Sequence, residues 1–568
     1  MGVMHDLVVR GGTVVDGLGG EPFSADVAVD GGVITEIGRV GGRAAQEVDA
    51  HGALVTPGFV DVHAHYDGQA TWDSRLAPSS WHGVTTVVMG NCGVGFAPVR
   101  ATDHERLIQL MEGVEDIPGA ALHEGITWEW ESFGEYLGAI DRRRRDVDVC
   151  ALVPHGAVRL FVMGERGAAR EPATPEEIQQ MGRLVRDGVA AGAFGFSTSR
   201  TLNHRTSGGD RTPTFGAAGA ELIGIAGAMR ETGRGAFEVV SDFDDLDQEF
   251  DVFARVAADT GARTFISLNQ NKRGGYRKVL DRIAEADGNG VPVQAQVAVR
   301  PIGVLFGLDT TIDPFVLNPV WAPYRSGDRA ARLAALTDPD ARRRLMEAAG
   351  EPSHVLGGYA RFFPLGDPPE YEPPPEASVA AIAERQGRHP VEVLCDLMAA
   401  DGGADFVYFP IFNYDAGDLE AQRELLTHPN TIIGLADGGA HVGTICDGSF
   451  PTTLLAHWGR DRVRGPRLEL PWLVKAQTAD TADAYGLQDR GRLQVGLRAD
   501  LNVIDFERLR LRTPEVVHDL PAGGRRLVQR ADGYVATVVA GEVTYRGGEP
   551  TGALPGRLVR SGIEGGRT

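Results

Sequence analysis

Residues 57–67 read PGFVDVHAHYD, an apolar run that ends in two histidines, His63 and His65. Alternate residues of a β-strand point to the same face, so both imidazoles leave the same side of the sheet and can reach one metal ion. The simpler interpretation is that both are surface or pore-facing histidines without a ligand. The surrounding sequence must distinguish these two interpretations.

The composition is that of a large globular protein, with 568 residues of which 42% are hydrophobic and 24% are charged. A chain of this length has ample material for a large core and at least two structural units. Its formal net charge of -22 disfavours nucleic acids and anionic membranes, because phosphate binding relies on an excess of Lys and Arg. We therefore expect a small-molecule substrate, no nucleic-acid or membrane partner, and leave a homo-oligomer open.

The cysteines and the N-terminal residues predict a cytoplasmic protein. Cys92, Cys150, Cys395 and Cys446 lie far apart and form no Cys-x-x-Cys pair, which is typical of reduced thiols. The first residues go directly into strand-like sequence, without a charged leader and apolar core, and no run approaches the roughly 18 apolar residues of a membrane span.

Both ends of the chain predict β-structure. Residues 1–56 consist of short apolar runs broken by Gly pairs, a pattern that hairpins give and helices do not. Similar runs occur at residues 499–505 and 536–545. We predict that residues 1–56 and 460–568 form one small β-sandwich domain, with some helix within residues 470–490.

Between the two ends, apolar strands alternate with amphipathic helices, which is typical of a parallel sheet. The predicted strands end near His63, Gly90, His155, Ser199, Ser241, Asn269, Arg300 and Asp437. This predicts an α/β fold, a (β/α)8 TIM barrel over residues 57–459. A segment rich in Pro and Gly, at about 305–389, is predicted as an insertion after strand seven that covers the barrel mouth or makes an oligomer contact.

The ends of the predicted strands also carry the candidate site, because active sites in such barrels lie on the loops that follow the strands. Cys92 comes about one strand-helix unit after His65, so it should face the same cavity. A thiolate is a good zinc ligand, although a cysteine is also often simply buried. Asp437 ends an apolar strand in a Gly-rich turn, where it can bind metal and accept a proton from bound water, or merely form the turn.

Several motifs together resemble one family. They are Pro57–His65, Gly83–Thr86 with Asn91–Gly93, Ala151–Arg159, the turn at Asp437, and Gly491–Asp500. The chain resembles the amidohydrolase superfamily and specifically its D-aminoacylase (N-acyl-D-amino-acid deacylase) branch. The resemblance implies a metal-bearing (β/α)8 barrel beside a small β-sandwich. It also implies that His63, His65, Cys92 and Asp437 bind metal and that Asp437 moves protons during hydrolysis.

The sequence departs from that branch at two strand ends. The resemblance implies a metal-binding histidine at the ends of strands five and six, but residues 238–242 and 265–270 contain none. Strand four, at residues 196–199, lacks the lysine that other members of the superfamily carboxylate. We therefore predict one Zn²⁺ ion, since three protein ligands and a water are the usual catalytic arrangement.

Other polar residues near the strand ends are candidates for substrate binding. Histidines there can do acid-base or ligand work, and arginines can hold a substrate carboxylate through paired hydrogen bonds. A hydrogen-bonded structural histidine and an ion-paired arginine are the alternatives. The candidates are His155, Arg159, His204, Asn269, Arg300 and His441, and Glu238 and Asp242 offer further carboxylates.

Three functions are compatible with this sequence. The first is a metal-dependent hydrolase of a non-peptide C–N bond in an N-acyl amino acid or related amide, with Asp437 as general base and acid. The second is a lyase or decarboxylase on the same scaffold. The third is a metal-poor member that binds a small ligand without turnover. The retention of His63, His65 and Asp437 together favours an enzyme over the third.

Overall fold

The computed structural model describes residues 4–270, 275–349 and 358–562. In these residues, parallel strands at the predicted positions form a barrel, and we number them barrel strands one to eight in chain order. They are Phe59–Ala64, Val84–Met89, Asp148–Ala151 continued by Val153–Pro154, Gly195–Arg200, Ala236–Ser241, Arg263–Ser267, Val293–Val297 and Thr431–Ile433. Most of their side chains are buried on both faces, as expected of a parallel sheet covered by helices. The predicted fold class is confirmed.

The barrel closes between strand eight and strand one. The amide of Asp437 donates to the carbonyl of His63 at 3.0 Å, and the amide of His65 donates to the carbonyl of Gly438 at 2.8 Å. A parallel bridge joins Ala64 to Gly438 between these two hydrogen bonds. The backbone that closes the barrel is therefore the backbone that carries three of the predicted site residues.

Helices connect the strands and cover the barrel. The longest, Pro175–Ala190, begins where its sequence predicts, because Thr174 accepts a hydrogen bond from the amide of Glu177 and Glu177 reaches back to Thr174. The helices before strand five are His104–Glu115, Gly119–Gly125, Phe133–Asp141, His155–Met163, Glu165–Ala168, Pro175–Ala190 and Gly219–Arg230. Those after it are Leu246–Thr260, Tyr276–Gly288, Ala322–Arg325, Arg329–Thr337, Pro339–Ala348, Val379–Gln386, Pro390–Ala399, Glu420–Thr427, Phe450–Thr453 with the π-helix Leu454–Asp461, Leu470–Gln477 and Ala479–Ala484.

The two chain ends meet in one sheet. Residues 54–57 pair with residues 13–14 on one side and with residues 501–504 on the other. The strands of this sheet are Met4–Val14, Phe23–Asp30, Val33–Gly38, Arg43–Asp49, Leu54–Pro57, Leu501–Ile504, Tyr534–Val539, Glu542–Arg546 and Glu549–Pro550. Because residues 54–57 run directly into barrel strand one, this sheet anchors the first strand of the barrel.

The region between barrel strands seven and eight contains a small antiparallel sheet with its own hydrophobic core. In it Val407–Pro410 pairs with Gly303–Phe306 and with Phe363–Pro364. In the sequence, two further antiparallel pairs lie between the C-terminal strands of the large sheet. They are Arg510–Leu511 with Ala531–Asp532 and Glu515–Leu520 with Gly524–Val528. The predicted domain limits stay a prediction. Part of the predicted insertion, residues 350–357, lies outside the described residues.

Two further observations concern the apolar character of the helices and the state of the cysteines. Among the residues described, none of the helices combines the length and the apolar composition that a membrane crossing requires. All four cysteines are buried and free of disulfides.

Candidate metal centre

Four predicted side chains converge where the barrel closes. His63 and His65 come from the end of strand one, Cys92 from the turn after strand two, and Asp437 from the turn after strand eight. The Sγ of Cys92 lies 3.4 Å from Nε2 of His63. Oδ1 of Asp437 lies 3.4 Å from Nε2 of His63 and 3.5 Å from Nε2 of His65. We call these four residues the strand-end cluster.

His63 is held by a neighbour on strand seven. Its Nδ1 lies 2.6 Å from Oε1 of Gln296, and both side chains are buried. Because an amide oxygen only accepts, Nδ1 donates a proton to Gln296, and in the neutral form of the ring the lone pair on Nε2 faces the cluster. This is the arrangement that fixes the tautomer and ring orientation of a metal-binding histidine.

Cys92 sits in a left-handed turn that a barrel carboxylate stabilises. Its φ is 55°, and its amide donates to Oε2 of Glu238 at 2.8 Å. The amide of Gly93 donates to Oγ of Ser197 at 2.9 Å. Burial and the nearby charge of Glu238 raise the pKa of the Cys92 thiol, so this thiol stays protonated until a cation compensates the charge of the thiolate.

Asp437 lies in a strained loop. Leu435, Asp437 and His441 all have positive φ values, of 56°, 48° and 49°. Such backbone conformations cost energy and persist where the surroundings hold them, often at functional sites. Burial alone would raise the pKa of Asp437, but the hydrogen bond from His65 and the charge of His63 outweigh it and lower that pKa. Asp437 is therefore a carboxylate at neutral pH.

Sequence reasoning missed Glu115, the last residue of the helix His104–Glu115. Its side chain is 1% exposed, with Oε1 3.3 Å from Nδ1 of His65 and Oε2 3.6 Å from Nε2 of His441. The signal in the sequence is an acidic pair, Glu115-Asp116, at the C-terminal end of a helix, where the helix dipole disfavours negative charge.

The strand-end cluster fits a divalent metal ion. The ligand atoms of His63, His65 and Cys92 lie within 4.8 Å of one another, which is close enough for all three to bind one ion. Imidazole, thiolate and carboxylate are the ligands that zinc prefers in proteins. Nε2 of His63, the ring nitrogen that does not contact Gln296, faces the same cluster. The donor set of this chain thus suits the metal that the sequence predicts.

The polar side chains at the ends of strands five and six form hydrogen bonds to other groups of the protein. Oδ1 of Asn269 accepts from Nδ2 of Asn413 at 2.9 Å, and Oδ1 of Asn413 accepts from the amide of Gln270 at 2.6 Å. The end of strand six is therefore tied to the chain that returns from the antiparallel sheet. Inside the barrel, Glu238 on strand five accepts from Oγ of Ser267 on strand six at 3.2 Å.

Three of the predicted substrate-binding residues are enclosed in buried ion pairs. His155 and Arg159 both bind Glu221, through contacts of 2.9 Å and 2.6 Å. Arg300 is 1% exposed and donates to Oδ1 of Asp447 at 3.1 Å. Its guanidinium also lies 3.6 Å from the ring centroid of Tyr371. Each of these three side chains is therefore already paired within the protein.

His204 and His441 lie nearer to the strand-end cluster. Nδ1 of His204 lies 2.9 Å from Oγ of Ser199 on strand four. Burial and then the charges of His441 and His65 lower the pKa of His204 to about 3. The side chain of His441 is 27% exposed. Of the six predicted substrate-binding residues, these two interact electrostatically with the charged groups of the cluster.

A closed (β/α)8 barrel with imidazole, thiol and carboxylate groups at its strand ends is typical of metal-dependent barrel hydrolases. Comparison with protein families agrees. The model of the amidohydrolase family matches residues 46–545, and the chain belongs to that family. This membership confirms the predicted enzyme class, a hydrolase that acts on carbon–nitrogen bonds other than peptide bonds.

Similar proteins include deacylases of known specificity. N-acyl-D-glutamate deacylase of Alcaligenes xylosoxydans xylosoxydans is 30% identical over 88% of each chain. D-aminoacylase of the same organism is 28% identical over 98% of this chain and 97% of its own. The structure of the N-acyl-D-glutamate deacylase from Bordetella bronchiseptica complexed with zinc and a phosphonate inhibitor superposes with a TM-score of 0.65, at 22% identity, over 98% and 100% of the two chains. The predicted resemblance to the D-aminoacylase branch is confirmed.

Proposed function

We propose that this protein is a metal-dependent deacylase of N-acyl amino acids or closely related small amides. One Zn²⁺ ion is held by His63, His65 and Asp437, with Cys92 as a further ligand. The observation that supports this proposal is the convergence of these four side chains at the closure of the barrel. The curated relatives that act on N-acyl-D-glutamate and other D-amino acid derivatives support the substrate class.

When bound, the metal ion lowers the pKa of a water molecule and polarises the scissile carbonyl. The other steps belong to side chains of this protein. Asp437 accepts the proton of the attacking water as general base, and delivers it to the leaving nitrogen as general acid. The low pKa of Asp437 keeps it ionised and ready to accept that proton at neutral pH.

The remaining polar groups orient the reaction. Gln296 holds His63 through Nδ1, and Glu238 holds the turn of Cys92 through its amide. We propose that His204 and His441, which flank the strand-end cluster, contact the substrate. The proposal gives no substrate contact to His155, Arg159 or Arg300, which are enclosed in buried ion pairs, or to Asn269, which is tied to Asn413.

The test combines metal analysis with product analysis. Purified protein is assayed for zinc by elemental analysis and incubated with a panel of N-acetyl-D- and N-acetyl-L-amino acids, and products are identified by mass spectrometry. We expect close to one equivalent of zinc per chain, and a gain of water that releases acetate and a free amino acid. Loss of carbon dioxide instead would indicate the lyase or decarboxylase alternative, and binding without turnover would indicate the ligand-binding alternative.

A histidine variant identifies the site. His65→Ala is expected to lose both zinc and turnover, because Nε2 of His65 faces Asp437 in the cluster. The matched control is His51→Ala, since the side chain of His51 is 75% exposed and lies beside Asp49 on the terminal β-sheet rather than at the barrel closure. Zinc content and activity in His65→Ala equal to those of the control would contradict the proposed site.

The cellular setting remains a set of predictions. We keep the cytoplasm as the expected compartment, a small molecule as the substrate and a homo-oligomer as an open possibility. The net charge of -22 continues to disfavour a nucleic-acid partner.

A further inference from the structure

Glu115 is a buried carboxylate for which the proposed chemistry has no step. It lies at the end of the helix His104–Glu115 and is 1% exposed. An isolated carboxylate in such a place is costly unless other groups compensate its charge. Burial and the charges of Asp437 and Asp67 raise the pKa of its carboxyl group well above the usual value. Two imidazoles lie against this group. Oε1 lies 3.3 Å from Nδ1 of His65, and Oε2 lies 3.6 Å from Nε2 of His441.

The pairing of Glu115 with His65 is mutual. In the part of the chain that the structure describes, Oε1 of Glu115 and Nδ1 of His65 are both buried atoms without a hydrogen-bond partner, and they face each other at 3.3 Å. The opposite ring nitrogen of His65, Nε2, faces Asp437. His65 thus presents one nitrogen to the strand-end cluster and the other to Glu115. His63 has the same arrangement, with Gln296 in the place of Glu115.

Glu115 also contacts the loop that carries Asp437. Its carbonyl accepts a hydrogen bond from the amide of His441, in addition to the contact between the two side chains. The next residue, Asp116, accepts from Oγ1 of Thr444 at 3.2 Å. The loop has three non-glycine residues with positive φ, so it depends on such contacts to keep its conformation.

We propose that Glu115 is the positioning residue of this centre: its carboxylate spans His65 and His441 and holds the strand-one ligand in register with the loop that carries Asp437. The inference rests on the proposed function, because it assigns His65 as a metal ligand. Carboxylates that accept the second N–H of a metal-binding histidine orient the ring, and their loss typically weakens metal affinity about 10–100-fold.

The experiment compares Glu115→Gln with Glu112→Gln. Glu112 lies one turn earlier on the same helix and accepts from the amide of Gly119 at 2.9 Å, away from both histidines. The dissociation constant for Zn²⁺ is measured by competition with a chromophoric chelator, and the ligand field is followed by the absorption spectrum of the Co²⁺ form. We expect Glu115→Gln to weaken zinc binding by about 10–100-fold and to change the Co²⁺ spectrum. Glu112→Gln is expected to match the wild type, and Glu115→Asp to recover part of the affinity.

A readout on metal-free protein separates this inference from the proposed function. Hydrogen exchange of the peptide covering residues 435–444 is expected to be faster in Glu115→Gln than in the wild type and in Glu112→Gln. Zinc affinity within twofold of the wild type, or unchanged exchange in metal-free protein, would overturn the role of Glu115. If the wild type binds zinc but hydrolyses no amide, the proposed function fails while Glu115 is still judged by zinc affinity. If the wild type binds no metal, Glu115 is judged by exchange alone.

Discussion

At the scale of single residues, this site depends on which nitrogen of each histidine faces the strand-end cluster. His63 and His65 turn Nε2 to the cluster, because Nδ1 of His63 is hydrogen-bonded to Gln296 and Nδ1 of His65 lies against Glu115. In the proposed metal site, the orientation of both rings is therefore set by residues that would not themselves touch a metal. Two histidines with free rotation would have to order their rings on binding, at a cost in conformational entropy.

Gln296→Leu tests this dependence on the partner of His63. Leucine has a similar volume but cannot accept the proton on Nδ1, so we expect zinc affinity to fall about tenfold. Gln296 also donates to the hydroxyl of Tyr485 at 3.2 Å. Tyr485→Phe removes that second hydrogen bond alone and is the matched control. Equal zinc affinities in the two variants, measured by chelator competition, would show that the contact with His63 has no effect on binding.

At the scale of elements, the turns after strands two and eight are held from several sides. The turn Asn91–Gly93 is fixed by Glu238 on strand five and by Ser197 on strand four. Contacts from two other barrel strands keep Cys92 at a positive φ, which a free chain would rarely adopt. The position of the thiol is therefore a property of the whole strand-end rim rather than of its own turn.

Gly93→Ala tests the packing of this turn. Gly93 has a φ of 69°, and an added Cβ would lie 2.8 Å from Cα of Thr198. We expect a loss of about 1–3 kcal/mol in the free energy of unfolding from the backbone strain, a further loss from the clash, and weaker zinc binding. Gly209→Ala is the control, since Gly209 has a φ of 88° with nothing within 4 Å of the added Cβ. Equal losses in both variants by chemical denaturation would mean that close packing contributes nothing.

The sequence predicts the residues of the strand-end cluster but not the partners that hold them, and this difference has a physical reason. Barrel strands are local apolar runs, and His63, His65, Cys92 and Asp437 are recognisable because each lies directly after such a run. Gln296 is 233 residues from His63, and no local pattern connects the two. Arg300 is a candidate substrate-binding residue because it lies just after strand seven. Its partner Asp447 lies beyond strand eight, so the sequence does not show that the charge of Arg300 is already paired.

At the scale of the whole molecule, buried ion pairs connect the region before strand eight to the helices that follow it. Glu372 is 2% exposed and accepts from Nε2 of His457 at 2.9 Å and from Nε of Arg462 at 3.2 Å. Arg462 also donates to Oε1 of Glu420 at 2.9 Å. Breaking such a network leaves buried charge without a partner, which is far more costly than losing an exposed pair.

The pH dependence of stability tests this network. Burial would raise the pKa of Glu372, but hydrogen bonds from His457 and Arg462 outweigh it and lower that pKa from 4.5 to about 2. A carboxyl whose folded pKa is lowered contributes stability above its unfolded pKa, and that contribution disappears as the pH falls through the folded value. The window for Glu372 therefore runs from about pH 4.5 down to about pH 2.

Glu372→Gln removes the charge and keeps the shape of the side chain. At pH 7 we expect this variant to be less stable than the wild type by about 2 kcal/mol, since hydrogen bonds to charged groups contribute about 1.5–3 kcal/mol. The difference should shrink as the pH falls below 4.5, because the wild type then loses the same charge. Denaturant unfolding of both proteins between pH 7 and pH 3 measures it. The control is Asp340→Gln, which breaks the exposed pair with Arg343. A loss of stability in Glu372→Gln that is as small as the loss in this control, or that does not change with pH, would contradict the role of Glu372 in the network.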